Sequence, residues 1–180
     1  MKKFLAALFA ATLLLMGCGD DSAEHHHLHN SAQASPVAQV VPNFTTKTIT
    51  GETVTNEIFA SKKITMINIW GTFCPPCIGE MPELGEMARN LPADAQIIGL
   101  VCNADENSYN QIEEALRITQ ESGANFVNLL LNDELAKFIE NVEAVPTTIF
   151  VNSKGEVVGN AIIGADVDGY KDELEKLLAQ

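Results

Sequence analysis

The apolar positions of this chain change period from one stretch to the next, and those periods predict its elements. Ile64-Thr65-Met66-Ile67-Asn68-Ile69-Trp70 is a short run rich in apolar and β-branched side chains, the signature of a buried strand. Directly after it the period lengthens. Ile78, Met81, Leu84, Met87 and Ala88 recur at helical steps, so the spacing predicts a helix over 74–90 with one apolar face. Pro82 falls inside that helix and is expected to kink it. Residues 96–102 and 126–131 read as two more buried strands, and 111–122, closed by Gly123, as an amphipathic helix. A short helix is expected over 133–141. Residues 147–152 and 156–162 form an antiparallel hairpin around Ser153-Lys154-Gly155. Asp168 is expected to cap a last helix with Tyr170, Leu174, Leu177 and Leu178 facing inward. Ahead of all these, 44–50 and 53–55 read as an N-terminal β-hairpin turning at Gly51-Glu52. Strands alternating with helices imply an α/β fold with a mostly parallel central sheet and an antiparallel edge.

The pattern places Cys74-Pro75-Pro76-Cys77 where a strand ends and a helix begins. Unpaired N–H groups and the positive end of the helix dipole favour an anion there. A thiolate is the form of cysteine that attacks disulfides, and a helix start stabilises it. Cys74 therefore reads as the attacking residue. Cys77, one turn further in, reads as the residue that resolves the mixed disulfide. Pro75 and Pro76 remove N–H groups that a first helical turn leaves unpaired anyway. Two other readings of the pair are half of a zinc site and an inert bridge. Zinc takes about four ligands, and the segment 41–180 offers neither a second Cys-x-x-Cys nor a histidine.

The first forty residues have a different texture. Met1-Lys2-Lys3 is a positive start, Phe4 to Met16 is apolar but short for a membrane span, and Leu15-Met16-Gly17-Cys18 follows. This resembles a bacterial lipobox, which makes 1–17 a signal peptide and Cys18 a lipidated first residue; an ordinary cleaved signal is the alternative. Either implies export to a compartment where disulfides form. Residues 18–40 read as a flexible linker, and the ordered domain is expected over 41–180. The linker holds His25-His26-His27-Leu28-His29, all 4 histidines of the chain, read either as a metal-loading tract or as a tolerated polar run. With no histidine in the domain, Cys–His hydrolases, Ser–His–Asp triads and His-ligated catalytic metals are disfavoured there. The net charge of −13 repels nucleic acid and anionic headgroups, so membrane attachment would rest on lipid chains.

From about Pro42 to Gln180 the chain resembles thioredoxin-fold thiol–disulfide oxidoreductases of the TlpA/ResA/DsbE type, within the redoxin group. The residues that carry this are Asn68-x-Trp70-x-x-x-Cys74-Pro75-Pro76-Cys77-x-x-Glu80-Met81-Pro82-Glu83-Leu84 and Val145-Pro146-Thr147-Thr148-Ile149-Phe150-Val151. The resemblance implies a thioredoxin core carrying an N-terminal hairpin and an extra strand and helix within 105–132. It implies no cofactor beyond the redox-active cysteine pair. Its implied partners are protein disulfide or thiol substrates and a membrane electron donor, with no nucleic acid. Family roles include reducing apocytochrome c cysteines and supplying electrons to envelope enzymes such as methionine sulfoxide reductases. Phe73 stands where the family usually has tryptophan, which bears on the shape of the docking surface.

The resemblance also assigns further residues. It implies a cis bond before Pro146, in a loop that faces the cysteines and meets an extended substrate segment. Val145, Trp70, Pro75 and Pro76 complete that surface. Thioredoxin has a buried aspartate on the central strand as proton acceptor; Asn68, at the matching position, cannot titrate. Glu80, one turn after Cys77, is the expected substitute, as in ResA-like proteins. Cys102 reads either as a third redox cysteine or as a small buried apolar residue. A thiol peroxidase would need Pro-x-x-x-Thr-x-x-Cys, whereas Ile67 and Gly71 stand at those positions before Cys74. A copper carrier on this fold usually spaces its cysteines by three residues rather than two.

Overall fold

The structure is a computed structural model that describes residues 35–180. The segment expected to be a signal peptide, Cys18 and the histidine tract lie outside the described residues. The chain order is β1 (Thr45–Lys47), β2 (Thr53–Thr55), a 3-10 turn (Asn56–Phe59), β3 (Ile64–Trp70), α1 (Pro75–Asn90), β4 (Ala95–Asp105), α2 (Tyr109–Ser122), β5 (Val127–Leu131), α3 (Asp133–Phe138), β6 (Thr147–Asn152), β7 (Val157–Ile163) and α4 (Val167–Leu178).

Five strands form one mixed sheet in the order β5-β4-β3-β6-β7. Parallel β3, β4 and β5 make up one half, and β6 and β7 run antiparallel on the other side. β3 is therefore the central strand, and all seven of its residues are buried, as its apolar, β-branched-rich run predicts. Its side chains alternate between two cores. Met66 and Trp70 pack with Met81, Leu84, Ala115, Ile118, Tyr170 and Leu174, so α1, α2 and α4 cover one face. Ile67 and Ile69 pack with Phe44, Phe59, Leu135 and Phe138 on the other face, under α3 and the N-terminal segment.

Both sheet edges are engaged. The β1–β2 hairpin lies against β5 through a Thr48–Leu129 bridge and a bond from Thr46 Oγ1 to the Leu130 carbonyl. Val40 bridges Glu156 beside β7, and Val37 is buried in the second core. Packing thus begins before residue 41, because a sparse apolar segment can still lend single side chains to an edge strand that needs cover.

Other boundaries differ from expectation for local reasons. The last helix is capped by Asp166, whose carboxylate accepts from Gly169 N–H, and Asp168 lies in its first turn. β4 runs on to Asp105 through a register shift after Val101, and α2 begins at Tyr109. α3 stops at Phe138. α1 is one helix through Pro82, whose missing N–H leaves the Ile78 carbonyl without its helical donor.

Candidate active site

The end of β3 and the start of α1 deliver the two cysteines to the rim of the first core. The loop between them is pinned from β4: Thr72 N–H donates to Asn103 Oδ1 at 3.1 Å, and Asn103 Nδ2 donates to Thr72 Oγ1 at 2.8 Å. A Cβ at Gly71 would lie 2.6 Å from the Phe73 ring, so a side chain there would push that ring aside. That ring is 66% exposed beside the cysteines.

Cys74 and Cys77 are joined as a disulfide. Cys74 is the N-cap of α1, with Pro75 and Pro76 in the first two helical positions. The first N–H group the helix can offer is therefore that of Cys77, and it donates to Cys74 Sγ at 3.2 Å. On its other side Cys74 Sγ meets the Val145 carbonyl at 3.4 Å. The Val145–Pro146 peptide is cis. Pro146 is buried, Val145 half-buried, and Pro75 and Pro76 are exposed. The Pro146 carbonyl is already used by Gly164 N–H at 2.8 Å. Trp70, also expected on the docking surface, is buried like Pro146, and its Nε1 donates to Asn128 Oδ1 at 2.9 Å.

Glu80 lies one turn beyond Cys77, and both are buried on the same face of α1. Glu80 is only 4% exposed. Its Oε1 accepts from Asn68 Nδ2 at 2.8 Å, and its Oε2 lies 2.9 Å from the Tyr170 hydroxyl. Asn68 Nδ2 also donates to Thr148 Oγ1 at 3.1 Å, joining β3, β6 and α1. Burial raises the Glu80 pKa above the ordinary carboxylate range; the bonds from Asn68 and Tyr170 oppose this, and the nearby Glu83 charge adds to it. A cleft lined by Pro76, Gly79, Glu83, Ala165, Asp166 and Asp168 reaches Glu80 from outside. A carboxyl with these properties can take a proton from a neighbour and return it to water.

Cys102 is not brought to the pair. Ile98, Leu100 and Cys102 share one parity of β4 and pack on the second core, whereas Cys74 and Cys77 belong to the first. Cys102 is half-buried, and burial pushes its thiol pKa up. Sequence reasoning missed the polar role of Tyr170, which read only as one of the inward residues of α4. The available signal was a single hydroxyl in an otherwise aliphatic stripe.

The family model described as Redoxin matches residues 36–178. The chain is 24% identical over 158 residues to the thioredoxin-like protein YneN of Bacillus subtilis, covering 87% of this chain and 88% of that one. It is 26% identical over 161 residues to a DsbE homolog, a thiol:disulfide interchange protein of Paracoccus denitrificans, covering 84% of each. A 26% match over 121 residues to the thiol-disulfide oxidoreductase ResA of Halalkalibacterium halodurans covers 64% of this chain and 62% of that protein. Among solved structures, a putative thioredoxin from Neisseria meningitidis superposes with a TM-score of 0.64 at 23% identity, covering 79% of this chain and 92% of that one, which supports the thioredoxin fold. The chain belongs to the Redoxin family, as a thioredoxin-fold thiol–disulfide oxidoreductase of the ResA/DsbE type.

Proposed function

We propose that this protein is exported, tethered to the membrane through a lipidated Cys18, and reduces disulfides of envelope proteins. The observation that carries the reading is the Cys74–Cys77 bridge at the head of α1, with buried Glu80 one turn behind it. In the reduced state the Cys74 thiolate attacks one sulfur of a substrate disulfide. The substrate S–S bond breaks, one substrate thiolate leaves, and a mixed disulfide forms. Cys77 then gives its proton to Glu80 and attacks Cys74 Sγ. The second substrate thiolate leaves, and the bridge closes. Two electrons pass from the dithiol to the substrate; its two leaving thiolates take up protons from water, to which the Cys74 and Cys77 protons are released. A membrane electron donor then restores the dithiol. The substrate segment lies along Val145, Pro75, Pro76 and the exposed Phe73 ring.

Two features favour the reducing direction. A strongly oxidising pair is one whose thiolate is stabilised. Here the two prolines delete the first amide donors of α1, which leaves one N–H on Cys74 Sγ, and the Val145 carbonyl presents a lone pair to the same sulfur. Both limit how far the helix start stabilises the anion. Cytochrome c maturation and electron supply to sulfoxide reductases are the substrate classes this reading admits.

Mixing the reduced protein with a disulfide-bonded protein substrate tests the direction. The expected result is two new substrate thiols for each Cys74–Cys77 bridge formed. A mixture in which the protein stays reduced and the substrate stays oxidised would reject it.

A further inference from the structure

The Tyr170 hydroxyl lies between two acceptors. It is 2.9 Å from Glu80 Oε2 and 2.7 Å from the Gly164 carbonyl oxygen. A phenol carries one proton, so it donates to only one of them at a time. Gly164 is the residue that ties the end of β7 to the Pro146 loop, since its own N–H donates to the Pro146 carbonyl at 2.8 Å. Tyr170 is fully buried, so solvent does not reach its oxygen, and the Thr148 hydroxyl is its remaining hydrogen-bond neighbour.

We propose that Tyr170 is a positioning residue that couples the protonation of Glu80 to the Pro146 loop, its one hydroxyl proton going to Gly164 when Glu80 is neutral and to Glu80 when it is ionised. With Glu80 neutral, Oε2–H donates to Tyr170 Oη, and Tyr170 donates to Gly164. The chain of bonds is complete and Gly164 is held on both sides. When Glu80 ionises, its carboxylate requires a donor, and a hydrogen bond to a charge is roughly twice as strong as a neutral one. The hydroxyl turns to Glu80, and the Gly164 carbonyl loses its partner. The proton that Glu80 receives from Cys77 during resolution therefore tightens the strand end beside the substrate loop. Its return to water through the acid-lined cleft loosens it.

The surroundings are consistent with one dominant titration. Glu83 from α1, with Asp166 and Asp168 from the start of α4, line the cleft at Glu80. Lys171 lies in the adjoining groove on the far side of Glu83. From the sheet, Asn68 and Thr148 face the pair and do not titrate. Cys77 is disulfide-bonded in the oxidised state and carries no titrating thiol. Burial also keeps the Tyr170 hydroxyl from ionising, so it acts as a neutral donor throughout.

The test is NMR of the oxidised full-length chain, following the carbonyl ¹³C of Gly164 and the carboxyl ¹³C of Glu80 against pH. In the wild type both signals move with one shared midpoint. In Tyr170→Phe, Glu80 still titrates, its midpoint moves up because the carboxylate has lost a donor, and Gly164 no longer follows it. In Glu80→Gln, which keeps Glu83, Asp166 and Asp168, Gly164 stays at its low-pH position throughout. A Gly164 signal that is flat in the wild type, or that still tracks Glu80 in Tyr170→Phe, overturns the coupling. So does a Glu80 that never titrates. The inference deepens the reading of Glu80 as proton acceptor, but the two fail separately: a Glu80 that titrates with Gly164 yet is dispensable for turnover sinks only the acceptor role.

Discussion

Replacing Cys77 with serine leaves the substrate covalently held on Cys74, and replacing Cys74 with serine removes both the capture and the activity. The asymmetry follows from position. Cys74 is the N-cap of α1 at the protein rim, flanked by the exposed Pro75, Pro76 and Phe73, while Cys77 is fully buried one turn inside. A substrate sulfur meets Cys74 first. With no thiol at 77 the mixed disulfide has no internal nucleophile, and its decay must await an external thiol, a change from a fast intramolecular step to a slow bimolecular one. Non-reducing gels of the Cys77→Ser protein with a disulfide substrate should show a stable adduct that dithiothreitol releases. The Cys74→Ser protein should show none. An adduct through Cys77 in the second variant would reverse the assigned roles.

Glu80→Gln should slow closure of the Cys74–Cys77 bridge by about 10²-fold or more, the typical contribution of a positioned general base. Glutamine keeps the bond to Asn68 or to Tyr170 and keeps the volume, so the change isolates the proton acceptor. In the wild type the closure rate should rise as pH passes through the raised Glu80 value. In the variant that inflection should vanish, and the rate should rise only where the Cys77 thiol ionises unaided. Stopped-flow oxidation of the reduced protein across pH reads both. An unchanged profile would remove Glu80 from the chemistry. The same burial sets a stability signature. A carboxyl whose pKa is raised in the folded state contributes stability that is full below the ordinary glutamate value of 4.5 and is lost as pH climbs through the raised one. Urea unfolding of the oxidised protein should show that loss in the wild type and not in Glu80→Gln.

Much of the frame was legible in the chain because it rests on local periodicity. The apolar, β-branched-rich run of 64–70 reads as a buried strand, and the two prolines between the cysteines fit the first turn of a helix. What stayed hidden depends on pairs far apart in sequence. Tyr170 reaches Glu80 across 90 residues, and no spacing rule announces it, since a tyrosine in an inward helical stripe reads first as core. Trp70 reads in the sequence as packing beside the active site, because it borders the cysteines. Its indole turns inward to Asn128 on β5, a partner that exists only once β4 and β5 are paired. Cys102 illustrates the limit of parity. The alternation 98, 100, 102 puts it on one face of β4, but the face that carries the cysteines is decided by where α1 packs. The Asp166 cap was missed by two residues, because Asp166 and Asp168 compete as caps and only Asp166 reaches the Gly169 N–H.

The reduction potential of the Cys74–Cys77 couple, measured at equilibrium against glutathione, tests the central claim most directly. In the disulfide-bonded pair one amide donor and one carbonyl lie beside Cys74 Sγ, a setting that offers a thiolate there limited stabilisation. The account predicts a value near the roughly −270 mV of thioredoxin, that of a reductant recharged by a donor. A value near the roughly −120 mV of DsbA would make the protein a disulfide-forming oxidant and contradict the assigned direction.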